Sequence, residues 1–241
     1  MKVACRIMLI LFMLPLMGVA QEDEKPKSEL VALHYMKPKK GQALMLKKAV
    51  EAHNKKYHAE KPYQAGLSTI LTGNEAGWMV WEMGPFSYTE LDEAPGQGEH
   101  MEHWRQSVDA YVEEYGRVEY WRYNKKLSHA SGEDNTMQTV WFVDIRRGEY
   151  YRFKELMTKI QQVVEKHNEG QSVWSNEYVQ QDGRDVAIVF PFGSWADRDN
   201  NDFNMKEAYE AMHGQGSWQS AMDEWEDIVE SIVAEAWRDL L

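Results

Sequence analysis

The side chains best suited to chemistry in this chain are histidines, and three of them are spaced in an informative way. His53 belongs to a run of Leu46, Val50, His53 and Tyr57 at i, i+4, i+7 and i+11, the apolar stripe of one helix. An imidazole on such a stripe needs a hydrogen-bond partner or a ligand, because an unpaired buried polar group costs free energy. It therefore reads either as a satisfied core or pocket-edge histidine or as an acid–base or ligand-binding group. His100 and His103 lie three apart in Glu99-His100-Met101-Glu102-His103-Trp104. On a helix that spacing sets both rings on adjacent turns, where one metal or a heme meets either of them. The competing reading is a pair of solvated residues at a helix start. A loose pair falls short of a ligand set, so no metal site is assigned from the sequence.

His53 and His100 are thus the candidate catalytic residues. The candidate ligand-binding set is His53, Trp78, Trp81, His100, His103 and Trp104. Trp78, Trp81, Trp141 and Trp174 fall on strand-like runs, where alternation sends some side chains inward, either to line an aromatic cavity or to fill a core. His213, near the corresponding helix later in the chain, carries less. Asp197 and Asp199 sit in a charged stretch, Ala196 to Asp202, that reads as solvated surface. There is no Gly-rich phosphate loop, nucleophile elbow or His-Glu-x-x-His, and the one cysteine, Cys5, lies near the start, so hydrolase and kinase readings find no support.

The elements that must position these residues occur twice. Leu33-His34-Tyr35-Met36 followed by Lys39-Lys40-Gly41 recurs 107 residues later as Val140-Trp141-Phe142-Val143 followed by Arg146-Arg147-Gly148. Ser87-Tyr88 matches Ser194-Trp195 at the same offset, and His58 and Glu60 match His167 and Glu169 at 109. Beyond a segment around Asn200 to Glu207, which lengthens one loop, the offset becomes 114, pairing Trp104 with Trp218. It becomes 116 at the end, pairing Trp121 with Trp237. Aromatic positions that recur in both copies are expected to pack. Within a copy, Val31, Leu33 and Tyr35 alternate as a strand, and the His53 helix follows. Leu67 to Leu71 and Trp78 to Met83 are short strands around Thr72-Gly73-Asn74. Met101, Trp104, Val108, Tyr111 and Tyr115 predict a second helix, and Val118 to Tyr123 a last strand. The second copy predicts the same series, with a final strand near Ala234 to Leu240. The fold class is therefore α+β, two ferredoxin-like β-α-β-β-α-β units whose sheet faces are expected to pack on each other.

The ends bound the compartment. Lys2 and Arg6, the apolar run from Ile7 to Met17 and the small residues Gly18-Val19-Ala20 read as a secretory signal peptide over 1–20. A charged stretch over 21–29 reads as a disordered spacer. Units are then expected over 30–124 and 139–241, joined by a linker over 125–138. The expected localisation is exported, periplasmic or extracellular. The apolar run is too short to span a bilayer, so no membrane anchor is expected. Removing Lys2 and Arg6 would take the formal charge from −12 to −14, which argues against nucleic acid as a partner.

The stretch His34-Tyr35-Met36-Lys37-Pro38-Lys39-Lys40-Gly41, a helix, and a Trp-rich strand running into Ser87-Tyr88-Thr89-Glu90-Leu91 resemble the dimeric α/β-barrel superfamily, especially its NIPSNAP-like and antibiotic-biosynthesis-monooxygenase-like branches. The resemblance implies a barrel of two ferredoxin-like units, here fused as an intramolecular pseudo-dimer. Relatives in that superfamily include cofactor-independent monooxygenases and heme proteins, so heme is the one cofactor the resemblance suggests. Three functions compete: binding of an apolar or aromatic small molecule, a cofactor-independent or heme-dependent monooxygenase, and a structural or partner-binding barrel. His53, His100 and His103 have no in-register histidine in the second copy, which places any site in the N-terminal half.

Overall fold

The computed structural model describes residues 29–132, 135–178 and 183–241; the expected signal peptide and nearly all of the expected spacer lie outside the described residues. The first unit contains β1 (Leu30–Pro38), α1 (Ala43–Tyr57), β2 (Ala65–Ile70), β3 (Met79–Phe86), α2 (Tyr88–Asp92), α3 (Glu99–Ser107) and β4 (Val112–Tyr123). The second contains β5 (Met137–Ile145), α4 (Tyr150–His167), β6 (Ser172–Asn176), β7 (Val186–Phe192), α5 (Trp195–Asn200), α6 (Met205–His213), α7 (Ser217–Ile228) and β8 (Val229–Asp239). Among the described residues no helix is long and apolar enough to cross a membrane.

Each unit orders its strands as a ferredoxin-like sheet, β4-β1-β3-β2 and β8-β5-β7-β6, with every pairing antiparallel. The two sheets also join edge to edge. β2 pairs with β8 through Ser68, Thr69 and Ile70, and β4 pairs with β6 through Trp121, Arg122 and Tyr123, closing an eight-strand barrel. The expectation of two sheets merely facing one another is therefore sharpened. Among the described residues, closure leaves none of the eight strands with a free edge, and the two inner faces become one lumen.

Strand alternation then buries two layers. On β1, Leu30, Ala32 and Met36 point outward under α1 and α3, while Val31, Leu33 and Tyr35 point into the lumen. The lumen is filled by Trp121, Trp237, Phe142, Val80 and Ile70, and burying each of these large side chains stabilises by roughly 2–3 kcal/mol. One region of the lumen is polar. Arg184 donates to both oxygens of Glu119 at 2.7 and 2.9 Å and to the Tyr35 hydroxyl at 2.6 Å, and its guanidinium lies over Phe142. Trp121 Nε1 donates to the same carboxylate.

Several sequence expectations need correction. The helix predicted through Tyr115 ends at Ser107, and β4 begins at Val112, because this stretch is claimed by pairing with β1 as far as Pro38. The final strand, expected near Ala234, already opens at Val229 as β8. The lengthened segment in the second copy is not only loop: it holds α6, a whole extra helix that buries Ala208 and Tyr209. The charged run from Ala196 to Asp202 is largely α5; it is solvated as expected, but Asp197 caps the helix by accepting from the Ser194 N–H and hydroxyl. Finally, Tyr88 and Trp195 recur in both copies yet stay exposed, at the starts of α2 and α5.

Candidate metal centre

Two helices of the first unit bring imidazoles together over the outer face of β3. α1 carries His53 on the same buried stripe as Leu46 and Val50, and the ring is fully buried. His58 follows the last turn of α1. Its backbone N–H closes that turn on Asn54, and its ring is held inward by an Nδ1–H donated to the Tyr63 carbonyl at 2.9 Å. Asn54 anchors this corner, donating to the Ala65 carbonyl and accepting from Trp81 Nε1. α3 contributes His100 and His103 from successive turns.

The ring nitrogens converge. His100 Nε2 lies 3.1 Å from His53 Nε2 and 2.9 Å from His58 Nε2, and the ligand atoms of His53, His58 and His100 all fall within 4.8 Å of one another. On the far side of His53, its Nδ1 lies 3.1 Å from His103 Nδ1, which is also 3.2 Å from the Ser107 hydroxyl. Trp104 meets the His53 ring edge-on at 4.8 Å, Trp81 meets His58 at 5.1 Å, and Tyr57 packs against His53, His100 and His103. At the rim, Lys56 pairs with Glu99 at 2.7 Å.

Proton counting shows what the cluster lacks. A carbonyl can only accept, so His58 carries its proton on Nδ1 and presents a lone pair at Nε2. His100 Nε2 can satisfy that lone pair by donating, but it then has nothing to accept with from His53. Protonating every ring is no remedy. Burial, reinforced by the neighbouring imidazoles, pushes His53 down to about 3. Burial pushes His58 down to about 4 against the raising effect of the Tyr63 carbonyl, and it lowers His100 as well. At neutral pH these three rings are neutral, the form that binds metals. His100 Nδ1 is buried without a hydrogen-bond partner, which makes His100 the least anchored of the three.

Of the residues singled out in the sequence, the fold gathers His53, His100, His103, Trp81 and Trp104. Trp78 is not among them; it packs on the lumen side, against the cluster containing Tyr35 and Trp121. His58 was missed as a site residue. In the sequence it served only to mark the repeat with His167, and it lies five residues after His53, off the helical stripe. His213 lies at the other end of the molecule, 4.5 Å from Tyr209, beside a cavity of about 600 Å³ lined by Arg152, Lys159 and Glu224. A second cavity of about 510 Å³ lies at the β4–β6 seam. Neither is lined by the histidines or tryptophans of the candidate set.

No protein-family model matches the chain, and no curated protein matches it in sequence. The fold has clear counterparts. A candidate monooxygenase of Fusobacterium nucleatum superposes with a TM-score of 0.60 at 9% identity, covering 90% of this chain and 94% of the other. A candidate monooxygenase of Lactobacillus acidophilus gives 0.57 at 11% identity, covering 88% and 94%. A mutant chlorite dismutase of Candidatus Nitrospira defluvii gives 0.54 at 7% identity, covering 89% and 93%. These likenesses establish the fold as the dimeric α/β barrel. The NIPSNAP-like branch has no counterpart among them.

Proposed function

We propose that this chain is an exported metal-binding α/β-barrel protein that holds one first-row transition-metal ion on His53, His58 and His100, with His103 orienting His53. The observation that carries this reading is the convergence of three neutral imidazoles, one of which has its other nitrogen fixed by a backbone carbonyl. Metal-ligating histidines are commonly oriented by such a carbonyl bond. An all-imidazole set suits zinc, copper, nickel or iron, and three protein ligands leave a coordination position for a small molecule. A bound ion would supply Lewis-acid activation of water, or oxygen chemistry if it is redox-active, the latter in keeping with the candidate monooxygenases of the same fold. Export rests on the signal-like first 20 residues.

Heme does not fit on His53. The ring of His53 is enclosed by Tyr57, His58, His100, His103 and Trp104 at centroid distances of 4.8–5.4 Å, which leaves no face for a porphyrin. The expectation of an apolar ligand gains no support either, since Trp81 is consumed by packing and by its bond to Asn54.

Elemental analysis after loading with zinc, copper or iron(II) tests the proposal. About one ion per chain is expected, lost in His53→Ala, His58→Ala and His100→Ala, while His103→Ala weakens affinity roughly 10–100-fold. Circular dichroism confirms that the variants fold. A wild-type chain that retains no metal, or retention indifferent to all three substitutions, would sink the reading. A Soret band on adding heme would reverse the exclusion of heme.

A further inference from the structure

A second site is suggested by charge at the seam between the units. The chain has a formal charge of −12, yet the cavity of about 510 Å³ at the β4–β6 seam is walled by Arg122, Lys125, Lys126 and Lys154. The one carboxylate among its described lining residues, Glu177, is already engaged. Arg122 grips it with two N–H donors at 2.6 Å each, and the Tyr88 hydroxyl donates to it as well. Among the described residues, Lys125, Lys126 and Lys154 have no carboxylate partner. Lys154 is only placed over the ring of Tyr150.

The wall is also rigid. Lys125 and Lys126 open a single 3-10 turn, Lys125–Leu127, whose last residue is buried. Asn124 N–H donates to the Val173 carbonyl, Ser128 Oγ donates to the Asn124 carbonyl and accepts from Val173 N–H, and Gln171 donates to the Leu127 carbonyl. The Tyr150 and Ser175 hydroxyls share a hydrogen bond at 2.6 Å on the same wall. Cations held close together without counter-ions repel one another, and a fixed turn prevents them from spreading apart. An oxyanion relieves that repulsion and takes hydrogen bonds from the ammonium and hydroxyl groups.

We propose that this groove binds a small soluble oxyanion, a phosphate or a multivalent carboxylate, between the two units and independently of the histidine cluster. Calorimetric titration of the metal-loaded full chain with inorganic phosphate provides the test. One saturable site is expected, weakened at least tenfold by raising sodium chloride from 20 to 300 mM, a rough figure for a few charge contacts. Lys126→Glu with Lys154→Glu should weaken phosphate binding at least tenfold. Lys48→Glu with Lys55→Glu, which makes the same change of charge on α1, should leave it within about twofold. Equal loss in both double variants, or indifference to the groove variant, overturns the site. Binding to phosphatidylglycerol vesicles without binding of phosphate overturns the assignment to a soluble anion.

Discussion

The outer faces of the two units start from the same plan and end in opposite chemistry. At an offset of 107, His53 stands where the second unit has Ile160, and Trp81 where it has Ile188; at 114, His100 and His103 stand opposite Gly214 and Ser217, while Trp104 keeps its aromatic partner Trp218. In the second unit the helices cover an ordinary apolar core of Phe153, Leu156, Met157, Val163 and Ile188, with Trp218 and Trp225 against it. The fold therefore does not need imidazoles between these helices and sheet. Where they occur they cost desolvation, and the cost implies a use.

The largest effect expected from converting one face into the other is at the metal. His53→Ile places the second unit's residue in the first and should lower metal affinity about a thousandfold or more, since it removes one of three ligands. The metal-free chain should be no less stable by urea unfolding, and up to about 1 kcal/mol more stable, because a poorly paired polar ring becomes an apolar one. A large loss of metal-free stability would mean that the histidines are structural.

Stability against pH separates the units next. Glu82 stands where the second unit has Val189. Burial, with a contribution from nearby Asp239, raises it from 4.5 to about 7, although the Ser68 hydroxyl 2.6 Å away partly offsets this. A raised carboxyl contributes stability below about pH 4.5 and loses it as pH rises through about 7. His53 and His58, depressed to about 3 and 4, act in the other direction. As pH falls below about 6.5 the unfolded chain takes up protons that the folded one refuses, and stability drops. Urea midpoints of the metal-free chain should thus peak near pH 6–7. Glu82→Gln should remove most of the alkaline decline, on the order of 1 kcal/mol between the maximum and pH 8.5, and His53→Ile much of the acid decline. A profile unchanged by either variant contradicts these assignments.

The smallest effect tests what the units share. Glu90 accepts from the Ser87 N–H at the start of α2, and Asp197 does the same for Ser194 at α5. Glu90→Ala and Asp197→Ala should each cost about 0.5–1.5 kcal/mol in thermal unfolding, and by similar amounts. Strongly unequal costs would show that the two corners have diverged as far as the outer faces.

Much of the fold was legible because it rests on local periodicity and on the repeat. Alternation in Val31, Leu33 and Tyr35 and the stripe through Leu46, Val50 and His53 marked elements that the structure contains. The limits have physical causes. Tyr115 keeps a helical spacing by coincidence, and pairing with β1 decided its conformation, while Val108 still caps α3 and Tyr111 ends a 3-10 turn. The α6 insertion was obscured by its polar flanks. The site was half visible: His53 stood out as a misfit, and His100 with His103 by spacing. What brings His58 to them is the turn of its ring toward the Tyr63 carbonyl and the approach of two helices more than 40 residues apart, which no local pattern encodes.

The barrel seams carry one further consequence. The ladders that join the units pair three residues of each strand at each seam, and the lumen they share is packed from both sides, whereas each outer face is built almost wholly from one unit. After a duplication, substitutions in the lumen must satisfy both copies together, but an outer face can drift without its twin registering the change. Fusion into one chain goes further than a symmetric dimer of identical subunits can, since there every substitution is made twice. Here one copy can keep the scaffold sound while the other accumulates costly polar residues.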